Sequence, residues 1–355
     1  MMNSERKTTP LQINQITEGV IWKQLLIFFF PIAVGTLFQQ LYNTVDAIIV
    51  GRCVGKQALA SVGGSAAVLS NFVIGFFTGL SAGATVIISQ HFGAKNIKQL
   101  SRGLHTAYAF SVTVSIAISV MGWLAAPALL RLLKTPSDVM PDSILYLRIY
   151  FLGIVFTLVY NMGSSIMRAI GDSRRPLLFL IICCALNIIL DLFFVVGLGM
   201  GIEGAAIATV LSQAISSLLV TRALMKSYGI LRLELKSIRF HADMLKSELR
   251  IGLPGGLQSF GYSISNIIIQ AVINDFGTDT AAAWAAFGKM DAIFWTVCGS
   301  FGIAITTFSG QNYGARKYDR VKKSVRISLG MSLGVCGSLI LFLMAFCRPL
   351  YVVFT

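Results

Sequence analysis

Three acidic residues stand where acids rarely do. Of 15 Asp and Glu in the 355-residue chain, only Asp46, Asp191 and Asp291 fall well inside long apolar runs. A charge held at the centre of a bilayer costs about 2.5–3.5 kcal/mol on insertion scales, so an acid placed there is a candidate for function. Two of them have polar company at helical spacing. Asn43 precedes Asp46 by one turn, Asn187 and Asp191 are spaced i, i+4, and Thr209 and Gln213 repeat that spacing. Residues three or four apart share a helix face. Converging oxygen donors of this kind suit Na⁺, and a carboxyl that takes up and releases a proton suits H⁺. The competing reading is a hydrogen-bond network between helices, worth about 0.6 kcal/mol per bond.

The elements that carry these residues must cross a membrane. Hydrophobic residues make up 55% of the chain and charged residues 12%, and mean hydropathy is +0.75. Soluble domains average about 25% charged residues, and disorder needs the opposite composition. Nine apolar segments are legible, near 24–50, 58–90, 104–132, 143–168, 176–199, 203–226, 250–274, 281–310 and 325–347. Each is long enough for a spanning helix, which needs about 20 residues. The stretch Met225–Arg250 is long, polar and of mixed charge, the one candidate linker. The expected organisation is 1–226 as a first lobe of six helices, 227–249 as an interlobe loop, and 250–355 as three helices of a second lobe.

The net charge of +14 would suggest nucleic acid in a soluble protein. Here it is topological: with the N-terminus inside, 22 of the 29 Lys and Arg fall in inside loops and 6 outside, Lys289 lying within a helix. That asymmetry predicts a cytoplasmic N-terminus in a multi-pass protein of the cell membrane, with lipid as its surroundings and no nucleic-acid partner. The first 24 residues carry no apolar core or cleavage site of a signal peptide. The six cysteines form no CxxC pair and read as small apolar residues. An intramembrane enzyme would need a paired His/Asp or Ser/His set within the helices, and the three histidines (His91, His105, His241) are expected in cytoplasmic loops instead. No GxxxxGK[ST] phosphate loop occurs, so no ATP-driven step and no cofactor are expected.

The chain also repeats itself. Thr85, Gln90, Gly93, Ala94 and Lys95 align with Thr306, Gln311, Gly314, Ala315 and Arg316, Phe92 falling opposite Tyr313. Pro127 matches Pro349, and Pro31 matches Pro254, at nearly the same offset. Six helices separate the copies, so both enter from the same side, a plan found in secondary transporters. By that symmetry the sequence reads as about nine helices of a twelve-helix design, the second lobe incomplete.

The motifs LFQQLYNTVDAIIVG (37–51), SQHFGAKN (89–96), MRAIGDSRRP (167–176), NIILD (187–191), GAAIATVLSQ (204–213), IGLPGGLQ (251–258) and GQNYGARK (310–317) occur in order. Together they resemble the multidrug and toxic compound extrusion (MATE) family of efflux transporters, in the prokaryotic branch similar to the DNA-damage-inducible members. The resemblance implies an all-α polytopic membrane protein with two parallel-repeat six-helix lobes around a central cleft. It implies export of small amphipathic organic compounds by antiport with H⁺ or Na⁺, and a monomeric functional unit. It also carries over Asp46, Asn187, Asp191 and Thr209, residue by residue, as a first-lobe cation site, with transient Na⁺ at Asp46, Asn187 and Asp191 and no resident metal.

Pro31 cannot bond the carbonyl of Ile27, so a kink is expected. A static kink, or a proline near the helix start, is weighed against a hinge that moves as Asp46 protonates. Asn43, Gln213, Gln258, Tyr262, Lys289 and Asp291 are candidate cleft-lining residues. Some MATE proteins carry a glutamate near the position of Tyr262, and here none stands there. A lipid-linked precursor flippase is the alternative function, weakened because Lys289 is the only base available to meet phosphate; an inactive truncated transporter is another.

Overall fold

The computed structural model describes residues 16–133, 135–226, 232–276 and 278–345. Ten α-helices and no strand occur among them: α1 (Ile21–Cys53), α2 (Lys56–Gly63), α3 (Ser65–Gly93), α4 (Ile97–Leu132), α5 (Met140–Ala169), α6 (Arg174–Asp191), α7 (Gly201–Lys226), α8 (Ala242–Asp275), α9 (Thr278–Gly314) and α10 (Tyr318–Ala345). The second apolar segment is broken at Gly64 into α2 and α3; the other eight each coincide with one helix. Among the described residues, eight candidate spans are long and apolar enough to cross a membrane. The 34-residue α8 is not among them, because Gly, Ser and Gln interrupt its apolar run.

Helix packing in lipid depends on small residues that let backbones approach, since lipid tails are as apolar as leucine. Gly153 and Gly163 of α5 accommodate Val210 and Val220 of α7, and Gly122 of α4 accommodates the ring of Phe151. A stripe of Ser111, Ser115 and Ser119 is buried on the inner face of α4. Its outer face exposes Ile116, Val120, Met121 and Leu124, the apolar surface a bilayer requires. The described cysteines are free, Cys298 and Cys336 lying 3.4 Å apart between α9 and α10.

The repeat is physical. Lys95 and Arg316 occupy equivalent places and both adopt a left-handed backbone, with φ of 54° and 59°. A side chain at Gly93 would strike the carbonyl of Gln311, and one at Gly314 the carbonyl of Gln90. These are the same contact made twice across a pseudo-twofold axis where α3 crosses α9.

The same symmetry exchanges helix halves. The first half of α1 joins the second copy: Ile21, Leu25, Phe28, Phe29 and Ile32 form a separate core with Phe301, Ala304 and Phe308 of α9, before Gly35 meets Leu177 and Leu180 of α6. Phe29 stacks on Phe301 at 4.1 Å. Beyond Pro31, Ile49 and Val50 join the main core of α3–α7. Pro31 is therefore interior to α1, at the level where the helix passes from one group to the other. Reciprocally, the first half of α8 lies against α3 and α4, and Pro254 follows it.

Two straps reinforce this exchange at the basic end. Arg320 of α10 donates to the carbonyl of Gly19 at 2.8 Å, and Lys317 to that of Thr17 at 2.9 Å. The polar segment before α8 and the first turn of α8 dock on α4: Arg102 pairs with Asp243 at 3.1 Å, and Thr106 lies 3.0 Å from His241 Nδ1. Two expectations are corrected here. Part of the stretch read as linker, 242–249, is the first two turns of α8, because its polar residues are good helix formers and Met244 and Glu248 anchor one face. His91 and His105 lie on helices: α3 runs past its apolar segment to include His91, and His105 falls in the third turn of α4. His105 is buried, Nδ1 2.7 Å from the Ser101 carbonyl and Nε2 accepting from the Glu234 amide at 3.1 Å.

Candidate cation-coupling site

Asp46 lies two turns before the end of α1, on the part of the helix that belongs to the first-copy core. Asp191 is the last residue of α6, at the point where the chain widens into a π-helical turn, Leu192–Gly197. Such turns recur at functional sites because they re-aim side chains and free backbone groups. Here the turn sets Asp191 fully inside, with Asn187 buried one helical turn before it. Thr209 and Gln213 are buried on the inner face of α7.

The two carboxyl groups face each other closely enough to interact directly. Tyr42, one turn before Asp46, reaches Thr209 of α7 and feels Asp46. Tyr146 of α5 lies within electrostatic range of both aspartates. Four helices thus converge on one polar group inside an apolar bundle. Its defining property is unmet hydrogen bonding: Asp46 Oδ1, both oxygens of Asp191, both amide atoms of Asn187 and Gln213 Oε1 are buried without a partner. Buried polar groups are nearly always satisfied, and each exception asks for an explanation such as an ion or water. Two carboxyls, an amide and hydroxyls form a hard, oxygen-only donor set that fits Na⁺ and equally fits a proton shared between carboxyls.

The sequence grouped Asp46, Asn187, Asp191 and Thr209 as a cation site; Gln213, expected to line the cleft, is buried one turn beyond Thr209. The sequence missed Tyr42 and Tyr146; the spacing of Tyr42 from Asp46 was a usable signal, whereas nothing local marks Tyr146. The remaining candidates lie elsewhere. Asn43 is exposed and lines a shallow open pocket with Gln40, Thr44 and Arg52. Gln258 is exposed, Tyr262 is half-exposed and meets Trp295 edge-on at 5.7 Å, and Asp291 is half-buried one turn before Trp295. The side chain of Lys289 lies outside the described residues. No carboxyl in α8 answers Asp46: the equivalent position, by the offset of the paired prolines, is Ile269.

A repeated helical bundle with exposed apolar faces and a buried carboxylate cluster defines a multi-pass membrane transporter. The MatE family model matches residues 31–193 and 254–355, two blocks that begin at the paired prolines. The chain belongs to the MatE family. It is similar to the probable multidrug resistance proteins YpnP and YoeA of Bacillus subtilis: 33% identical over 315 residues, covering 86% of this chain and 68% of the relative, and 28% identical over 358 residues, covering 99% and 77%. A FAD transporter of Shewanella oneidensis is 24% identical over 346 residues, covering 94% and 75%. In fold it matches a MOP superfamily transporter of Pyrococcus furiosus with TM-score 0.90, covering 97% of this chain and 76% of that one at 24% identity.

Proposed function

We propose that this chain is a secondary exporter of small amphipathic organic compounds, driven by the inward movement of H⁺ or Na⁺ through the Asp46–Asp191 site. The observation that carries this reading is the set of partnerless buried oxygens on α1, α6 and α7. An ion or proton bound there satisfies them; its departure leaves two carboxylates facing each other in an apolar interior. The site's occupancy therefore biases the packing of α1, which alone among the first-copy helices lies half in each core. The multidrug resistance relatives support organic compounds as cargo.

The energetics suffice with one ion. A charge moving down about 100 mV supplies about 2.3 kcal/mol, and one pH unit adds about 1.36 kcal/mol. Together they sustain roughly a 500-fold gradient of a neutral substrate exchanged one for one. The basic end, with Arg102, Arg175, Lys317 and Arg320, is placed on the cytoplasmic side by the positive-inside rule.

The test is efflux of a fluorescent organic cation from vesicles under an imposed pH or Na⁺ gradient. Asp46→Asn is expected to abolish gradient-driven efflux while leaving the amount of protein in the membrane unchanged. Full efflux by that variant removes Asp46 from the mechanism. A response to only one of the two gradients identifies the coupling ion.

A further inference from the structure

A third buried carboxyl lies at the opposite end of the molecule from Asp46. Glu248 stands in the first half of α8, is 4% exposed, and its Oε1 has no hydrogen-bond partner. It belongs to a stripe of Met244, Glu248 and Gly252, spaced i, i+4, i+8, that docks on α3 and α4. Glu248 Oε1 and Met244 Sδ face Gly103, 3.7 and 4.0 Å from where its Cβ would stand. A side chain at Gly83 would strike the backbone carbonyl of Glu248 and come within 2.6 Å of the Gly252 amide. Only glycines allow this seam to close so tightly around an acid.

The repeat shows what the position asks for. By the offset that relates Pro31 to Pro254, the stripe corresponds to Ile21, Leu25 and Phe29 of α1. All three are buried in the reciprocal contact with the second-copy helices. Where α1 inserts Leu25, α8 inserts a carboxylic acid. An apolar residue fills this place in one copy, so packing alone does not require the glutamate.

The surrounding charges are committed elsewhere. On α4, Arg102 is held by Asp243 and Gln99, and His105 by Ser101 and the Glu234 amide. His241 contacts Thr106 and Arg239, and burial together with Arg102 and Arg239 holds it below the usual imidazole range. Asp243, Lys246 and Arg250 are exposed on α8 itself. On α3, His91 lies two turns beyond Gly83, and on α9 the described charge, Asp291, lies in the opposite half of the helix. No cation meets Glu248 among the described residues.

We infer that Glu248 is a protonation switch of the basic-end seam: the neutral acid is sealed between α3, α4 and α8, and its ionisation, with loss of the proton to water at that end, opens the seam. Burying an unpaired carboxylate is strongly disfavoured, so closure takes up a proton and opening releases it. Rising pH at this end then favours opening, by up to about tenfold per pH unit while the closed form is neutral and the open form ionised. The inference deepens the proposed transport cycle and rests on it for a role, placing a second titrating group on the face that would admit cargo. The seam itself can be tested without transport.

The experiment reads the seam through Met244→Cys, buried against α4 when closed, in full-length protein reconstituted in lipid nanodiscs. Its rate of reaction with a maleimide is divided by that of the exposed Lys246→Cys, which removes the thiol's own pH dependence. Between about pH 6 and about pH 9 the ratio is expected to rise at least about tenfold with Glu248 present. It is expected to stay flat in Glu248→Gln and Glu248→Leu, and to keep rising in Asp46→Asn. A flat ratio with Glu248 present overturns the inference, as does a rise that survives in whichever neutral variant folds. A rise lost in Asp46→Asn but kept in Glu248→Gln assigns the switch to the coupling site instead. Loss of gradient-driven efflux with an intact seam response fails the transport reading and leaves the switch standing.

Discussion

Asp46 and Asp191 matter less for their charge than for the absence of anything to satisfy it. Apart from Tyr42 and Tyr146, their neighbours at hydrogen-bonding depth are Asn187, itself without partners, and Thr209. The two tyrosines close the group from α1 and α5, and their hydroxyls are suited to hold the ion or its proton rather than to drive transport. Tyr42→Phe is therefore expected to raise the ion concentration for half-maximal efflux about 3- to 20-fold, the equivalent of one intramembrane hydrogen bond of about 0.6–1.7 kcal/mol, with the maximal rate retained. Titrating efflux against Na⁺ or H⁺ checks this; a changed maximum with unchanged half-saturation contradicts it. Asp46 and the Asn187–Asp191 pair were legible in the sequence because a carboxyl in an apolar run is costly to insert and stands out from its neighbours. Tyr146 was illegible because a tyrosine in an apolar helix is ordinary, and only the place of α5 in the first-copy bundle, which brings it within range of both aspartates, gives it a role.

The helices are defined by what their small residues permit. Along α9, Gly302 has open space around the position of its missing Cβ, while Gly314 abuts the carbonyl of Gln90. Gly302→Ala is expected to be tolerated and to stabilise the helix by up to about 1 kcal/mol. Gly314→Val must force α3 and α9 apart at their crossing and is expected to lower efflux more than about tenfold, at unchanged membrane content, since the crossing cannot yield without moving backbone. Equal effects of the two substitutions would remove the crossing from the mechanism. The sequence marked both copies of this turn through their shared Gly-Ala-Lys/Arg pattern. It did not mark that the two turns touch each other, because contact across a pseudo-twofold axis leaves no local signature.

Across the whole molecule, the two sets of helices are tied by exchange rather than by a linker. The segment before α1 is held by α10, and the segment before α8 by α4. Arg320 is the centre of the first tie: it donates to the carbonyls of Ile16, Glu18 and Gly19 and to Asn312 Oδ1. Hydrogen bonds from a charged donor contribute about 1.5–3 kcal/mol each when buried and less when exposed, as those to Glu18 and Gly19 are. Arg320→Ala is expected to free the strap, seen as faster hydrogen exchange and proteolysis over residues 16–20, with the spans unaffected. Unchanged protection there would show that the apolar core of Leu25, Phe28 and Phe308 holds the segment alone. The exchange also distributes the carboxyls. Asp46 on α1 lies far from the basic end, where its counterpart is Ile269, and Glu248 on α8 lies at that end, where its counterpart is Leu25.

Composition and periodicity alone determined an all-helical membrane protein, nine apolar segments, a parallel repeat, one strongly basic end and the identity of the acids that must be explained. These follow from local rules: apolar length, charge asymmetry and helical spacing act on residues close together in the chain. Tertiary structure alone decided that α1 divides between two cores at Pro31, that a π-turn swings Asp191 inward, and that a glutamate in a stretch read as linker is sealed between α3 and α4. Those depend on which faces meet, and a polar residue near a helix end looks solvated until the partner that buries it is known.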